Sequence, residues 1–237
     1  MEERAARRPV PVDRVSFSDL RTAAYCPRKW YYRRTRDEDR EPPPEVDAIR
    51  ALATRYEGLL DSPSGVLEDE PIAVAPARYR DRLAATKRTL EDDGHWTRLL
   101  EPRAQAVLVT GRRCRGIVHK VLADPIEPAL VSAGEPPEHG VWSSQSVHAV
   151  AAAKALAWEH RTSIDRAWIE YPAYGVVRSV ELTTRRKARY RSVLRTVREL
   201  DGPPPRTSNR SKCTACEFAS DCGVRTRTLR SLLGFTD

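Results

Sequence analysis

Three thiols stand within ten residues of each other, at Cys213, Cys216 and Cys222, and a fourth, Cys26, lies 187 positions upstream of the first. With two residues between Cys213 and Cys216, one tight turn can aim both sulfurs at a common ion, and Cys222 returns after five more residues. This is a metal-ligand spacing. A zinc finger or ribbon normally brings its ligands as two local pairs. Here a local triple must borrow its fourth thiolate from Cys26, so the site would staple two distant parts of the chain. Zinc and an iron-sulfur cluster both accept four thiolates, and spacing alone leaves the choice between them open. Reduced bystander thiols and disulfides are the competing readings. The opening Met1-Glu2-Glu3-Arg4 has no signal-peptide core, which disfavours stable disulfides. The fifth cysteine, Cys114, lies between Arg113 and Arg115 in a strand-like run with no partner at ligand spacing, and reads as structural.

A second set of chemistry-bearing residues follows Cys26. In Arg28-Lys29-Trp30-Tyr31-Tyr32-Arg33-Arg34, four cations interleave with three aromatics. Arg28, Lys29, Arg33 and Arg34 can hold a phosphate backbone while Tyr31 stacks on a base. The same pattern also suits an amphipathic helix with rings inward and cations outward. The formal charge of +8 favours a polyanionic partner, and of 41 basic residues only six are lysine. Arginine's planar fork suits phosphate and its flat face suits bases, so a nucleic acid is the expected partner, although biased coding would also enrich arginine on the surface. No apolar run reaches the length of a membrane span, which leads to the expectation of a soluble cytoplasmic protein with no membrane partner.

The elements that position these residues follow from period and punctuation. Ser18 can cap a helix through Leu20 and Ala24, and Pro27 ends it and opens the next. After the break at Glu41-Pro42-Pro43-Pro44, the apolar residues Val46, Ile49, Leu52, Tyr56, Leu59 and Leu60 predict one amphipathic helix. Another follows Pro76, with Tyr79, Leu83 and Leu90 on one face. The period then changes. Residues 106–110 and 114–122 read as a hairpin, 128–133 as a third strand, 145–160 as an alanine-rich helix able to lie close on a sheet, and 167–171 with 176–182 as two more strands. A last helix begins near Thr183 or Thr184 and stops at Asp201-Gly202-Pro203-Pro204-Pro205. The expected organisation is a basic arm (1–15), an N-terminal helical region carrying Cys26 (16–100), a sheet-containing core (101–202) and a cysteine-rich basic segment (203–237) with a tail through Arg225, Arg227 and Arg230.

This order of elements, closed by Cys-x2-Cys-x5-Cys and preceded by Ser18-Asp19-Leu20 and Cys26-Pro27-Arg28-Lys29-Trp30-Tyr31-Tyr32, resembles the RecB-like nucleases that carry an iron-sulfur cluster. Among them it is most similar to the CRISPR-associated Cas-four exonuclease family. The resemblance implies an α+β or α/β fold of the PD-(D/E)XK (restriction-endonuclease-like) type, with helices flanking the sheet and a C-terminal four-cysteine iron-sulfur staple. It further implies a [4Fe-4S] cluster on Cys26, Cys213, Cys216 and Cys222, a role in DNA-end handling, and partners among CRISPR adaptation proteins.

At the hydrolytic site the sequence departs from that family. An acidic residue is expected at the end of the hairpin's second strand and Glu-x-Lys on the next, where carboxylates would hold Mg or Mn. Here His119 stands in the first position, Ser132 in place of the glutamate and Gly134 in place of the lysine, while Gln145 matches the family's glutamine. A serine is a poor substitute for a carboxylate on a hard dication. Asp124, Glu127, Glu135, Glu138 and Lys154 are the residues from which a relocated site would be built, with Asp124 and Glu135 as its possible ligands. The leading expectation is a DNA-binding nuclease fold that has lost hydrolysis. An active Mn- or Mg-dependent single-strand exonuclease and a zinc-stapled nucleic-acid-binding module are the alternatives.

Overall fold

The computed structural model describes residues 14–36 and 43–223. Nearly all of the expected basic arm, residues 41 and 42 of the proline break, and Arg225, Arg227 and Arg230 of the tail lie outside those residues.

The described chain forms a mixed six-stranded sheet flanked by helices. Its strands are β1 (Val15–Ser16), β2 (Ala104–Thr110), β3 (Cys114–Leu122), β4 (Glu127–Val131), β5 (Arg166–Tyr171) and β6 (Val176–Glu181). The helices are α1 (Phe17–Tyr25), α2 (Pro27–Thr35), α3 (Pro44–Leu52), α4 (Tyr56–Asp61), α5 (Ser64–Glu68), α6 (Pro76–Glu91), α7 (His95–Leu100), α8 (Ser143–His160), α9 (Thr184–Glu199) and the single turn α10 (Ser211–Thr214). The sheet order is β1-β3-β4-β5-β6, with β2 paired to β3. The β2–β3–β4 run is antiparallel, α8 crosses over, and β5 returns parallel to β4. A parallel pair needs such a crossover, and a helix provides it while covering one face of the sheet.

Two apolar cores result. One lies among α1, α8, α9 and the sheet, and there Ala149, Ala151, Ala152, Ala153 and Ala155 are wholly buried. Small side chains let α8 approach closely. At Gly111, in the β2–β3 turn, a Cβ would lie 2.6 Å from the Ala155 Cα, so the turn can pass α8 only with glycine there. At Gly116 a Cβ would run into the Phe17 ring at 2.4 Å, and its absence seats α1 on β3. The second core gathers Leu52, Tyr56, Leu59, Leu67, Tyr79, Leu83, Trp96 and Leu99 against Leu122, Ala129 and Trp168.

Three local expectations shift. Ser16, not Ser18, caps α1, because its hydroxyl accepts the Asp19 N–H at 3.0 Å. The single helix expected over Val46 to Leu60 is divided into α3 and α4 by a turn at residues 53–55, where the Ala53 carbonyl accepts from the buried Lys120 Nζ at 2.7 Å. The third strand stops at Val131, with Ser132 beyond its end still bonded through its N–H to the Glu170 carbonyl at 2.8 Å. The hairpin, α6, α8, β5, β6 and α9 fall within two residues of their expected spans, and Thr183 caps α9. No helix among the described residues is long and apolar enough to cross a membrane.

Candidate functional site

Cys26 lies between two helices. Its backbone is extended, its N–H closes α1 on the Thr22 carbonyl at 2.9 Å, and its carbonyl accepts the Trp30 N–H of α2 at 3.1 Å. Pro27 needs no donor at the first position of α2 and so fits the break. At the other end of the chain, successive tight turns present the triple: Cys213 N–H to the Arg210 carbonyl, Cys216 N–H to that of Cys213, and Cys222 N–H to that of Phe218, at 2.9 to 3.2 Å. Cys26, Cys213, Cys216 and Cys222 line one cavity, together with Tyr25, Arg28, Lys29, Arg206, Thr207, Lys212 and Ala219. Among the described residues, no three His, Cys, Asp or Glu groups are placed to share a single metal ion, these thiols included.

The two ends are fastened by more than thiols. Phe218, 1 % exposed, stacks on Tyr32 with ring centroids 5.9 Å apart. Arg28 donates to the Pro204 carbonyl at 2.9 Å and to the Tyr32 hydroxyl at 3.0 Å, and its charge faces Cys222. Tyr32 donates in turn to the Asp221 carbonyl at 3.2 Å, and Arg36 meets the Asp221 carboxylate at 2.7 Å. Lys29 pairs with Glu217 at 3.2 Å, and Lys212 donates to the Tyr25 carbonyl at 2.8 Å while lying over the Tyr25 ring. Burial pushes the Cys222 thiol up, and the Arg28 hydrogen bond works against that.

Of the basic-aromatic run, Arg28 and Lys29 are thus engaged with the C-terminal segment. Tyr31 is half-buried, and Trp30 is buried with its indole N–H on Asp19 at 3.0 Å. Arg33 and Arg34 are exposed, Arg34 over the Trp30 ring.

The three substituted positions of the expected hydrolytic site occupy one region of the sheet. Val131, next to Ser132, donates its N–H to His119 Nδ1 at 3.2 Å. Ser132, 5 % exposed, accepts from Gln145 Nε2 at 2.9 Å, and Gln145 Oε1 accepts from the Trp142 N–H at 3.1 Å and from the Tyr171 hydroxyl. A Cβ at Gly134 would meet Ser132 Oγ alone, at 3.9 Å, so the backbone leaves room where a lysine would project. His119 titrates low, at about 4, through burial and then the charges of Arg50, Arg21 and Lys120. His148 titrates at about 3, through burial, Arg21 and His119. Tyr171 is pushed up to about 12 by burial, against the pull of Gln145, Arg178 and Arg21.

Among the candidates for a relocated site, Asp124, Glu135 and Glu138 are exposed. Glu127 is buried and committed to Arg98 at 3.1 Å and to the Trp168 indole N–H at 2.8 Å, and Lys154 is exposed on α8. The sheet also holds a charged pair that the sequence pattern does not reveal. Lys120, 2 % exposed, lies 2.8 Å from Glu170, and its Nζ also donates to the Ala53 and Leu99 carbonyls.

No protein-family model matches this sequence, and no curated protein matches it. Two solved structures are similar to it over nearly the whole chain. One is SSO0001, 10 % identical, covering 93 % of this chain and 91 % of the other at a TM-score of 0.45. The second is a presumed exonuclease from Eubacterium rectale, 11 % identical, covering 94 % of each chain at a TM-score of 0.47. At these values neither likeness carries a function over to this chain.

Proposed function

We propose that this chain is an iron-sulfur DNA-binding protein built on a PD-(D/E)XK nuclease core, and that it handles DNA strands or ends without hydrolysing them. The observation that carries the proposal is that the four cysteines, drawn from both ends of the chain, line one cavity. Three groups needed for metal-dependent hydrolysis are meanwhile replaced together by His119, Ser132 and Gly134. The donor set is all thiol, which suits a soft metal centre. Zinc and an iron-sulfur cluster both accept four thiolates, and the family resemblance favours the cluster. Cys26, Cys213, Cys216 and Cys222 would hold the [4Fe-4S] group, which when bound adds a structural tie, and a redox-active one, between the first helices and the C-terminal segment. Arg33 and Arg34, exposed beside that tie, offer phosphate contacts, and a role beside CRISPR adaptation proteins follows from the family resemblance.

The test is anaerobic purification, iron, sulfide and zinc analysis, and an assay of labelled single-stranded DNA with Mn. About four iron and four sulfide per chain, with binding and no cutting, is the expected result. Zinc without iron would favour the zinc-stapled module, and Mn-dependent cutting lost in Asp124→Ala or Glu135→Ala would establish a relocated hydrolytic site.

A further inference from the structure

Seven of the 16 residues of α9 are arginine or lysine, and one, Glu199, is acidic. The buried side of the helix is complete without them: Tyr190, Val193, Leu194 and Val197 pack into the core shared with α1 and α8. The opposite side carries Arg191, Arg195 and Arg198 at i, i+4 and i+7, a single row, with Arg185 and Arg189 one turn apart beside it, and all five are exposed. Among the described residues the acids nearest the start of α9 are engaged elsewhere, Asp165 with Lys187 at 3.6 Å and Glu181 with Arg166 at 2.7 Å, and none pairs with Arg191 or Arg195. Such a helix is held together against its own charge. Like charges one turn apart repel, and Arg185, Arg186 and Lys187 stand in the first turn, where the helix dipole favours acids and none is present. Packing gives the row no role, and a polyanion laid along it would relieve the repulsion.

The row continues past the helix. Arg198 donates to the Arg113 carbonyl at 3.5 Å, which brings the β2–β3 turn up to the last turn of α9. Arg112 and Arg113 are exposed on that turn, and Arg14 is tied to it through the Gly111 carbonyl at 3.0 Å. The Arg112 guanidinium lies 6.0 Å from the ring centroid of Trp158, an indole 57 % exposed in the last turn of α8. A membrane surface would need apolar side chains among the cations, and those of α9 are buried. Arginine forks match phosphate oxygens, and an exposed indole stacks on a base that has left its duplex. We infer that a single nucleic-acid strand lies along α9, with its phosphates on the row of Arg191, Arg195 and Arg198 and on the β2–β3 turn, and with a base stacked on Trp158. None of these residues lines the cysteine cavity. The inference rests on the nucleic-acid-binding function proposed above and gives it a surface.

The test is fluorescence polarisation, across a salt series, of a labelled oligonucleotide offered as single-stranded DNA, as duplex DNA and as RNA of the same sequence. Full-length wild type is compared with Arg191→Gln/Arg195→Gln, with Trp158→Ala, and with Arg78→Gln/Arg88→Gln, which removes the same charge from exposed positions of α6. The row variant is expected to bind the single strand about tenfold more weakly, with a slope of log K against log salt shallower by about 1.4, or about 0.7 for each of two phosphates. Its melting temperature should be no lower than that of wild type, since a like-charge pair has gone, so weaker binding is not unfolding. Trp158→Ala should also bind about tenfold more weakly, with the slope unchanged, and the α6 variant should match wild type. Equal losses in the row and α6 variants would reduce α9 to general surface charge and overturn the inference. Undiminished affinity in the row variant would overturn it too, leaving DNA binding to Arg33 and Arg34. Duplex bound as tightly as single strand, with Trp158→Ala without effect, would overturn the single-strand assignment. RNA bound in place of DNA, with the same loss in the row variant, would keep the surface and remove the DNA-binding function, whereas no binding of any of the three by wild type would overturn both.

Discussion

The Val131 N–H donates to Nδ1 of His119 at 3.2 Å, just beyond the last β3–β4 pair, Lys120 with Ala129, so a neutral imidazole closes the end of that ladder. Protonating the ring would turn its acceptor into a donor facing a donor.

A pH dependence follows. His119 and His148 titrate at about 4 and about 3 in the fold, and His95 is lowered by burial and by Arg98 and Arg166. Because the folded values lie below the unfolded one, the stabilisation is fully present above about pH 6.5 and is lost as pH falls toward the folded values. His119 and His148 should each contribute about 1.4 kcal/mol of lost stability per pH unit in that window. Urea unfolding between pH 6.5 and 5 should show this, with a slope that becomes shallower by one histidine's share in His119→Gln. An equal slope in that variant would show that His119 is not among the titrating groups.

Breaking the Lys120–Glu170 pair should be costly. In Lys120→Met the Glu170 carboxylate, itself pushed up by burial, loses its counter-charge, and the Ala53 and Leu99 carbonyls lose a donor. A loss of about 3–5 kcal/mol is expected in denaturant unfolding, with Lys120→Met/Glu170→Met recovering much of it.

The thiols divide four to one. Cys26→Ser should abolish iron retention and free the C-terminal segment, whereas Cys114→Ser should keep iron. Cys114 is buried beside the Ala151 carbonyl and the Tyr190 hydroxyl and does not line the shared cavity. Metal analysis of the two variants checks this, and equal iron loss would reject the assignment.

Phe218→Ala should detach the same segment by another route. Removing a buried, stacked ring costs about 3–5 kcal/mol, and because the loss is local to the staple, limited proteolysis between residues 203 and 212 should accelerate before the global melt moves by a comparable amount.

Arg33→Ala/Arg34→Ala should flatten the salt dependence of DNA binding without lowering stability, since both side chains are exposed. Arg28→Ala should lower the melting temperature as well, because its guanidinium spans Pro204 and Tyr32.

The order of the longer elements was legible because glycine and proline punctuate it and because the apolar period changes from helical to alternating after residue 100, whereas the short β1, α5 and α7 were not. That Cys26 lines one cavity with the C-terminal triple accords with thiols that are scarce and closely spaced in the sequence. Other features depended on partners far away in sequence. Nothing local marks Lys120 as buried, since a lysine in a strand ordinarily faces water and Glu170 lies 50 residues on. Arg28 and Lys29 looked free for phosphate because Pro204 and Glu217 are distant. The division of α3 from α4 was hidden because apolar residues continue at helical spacing through the turn.

The joining of Cys26 to Cys213, Cys216 and Cys222 also sets an order of events in biosynthesis. Chains emerge from the ribosome N-terminus first, so α1, α2 and the whole sheet are synthesised before the second set of ligands exists. A polypeptide cut short before Cys213 therefore has the strands of the sheet and still lacks three of the four thiols that line the cavity. On the cluster proposed above, cofactor loading would report that translation has run past Cys222, which would make the staple a molecular receipt for the full set of thiols.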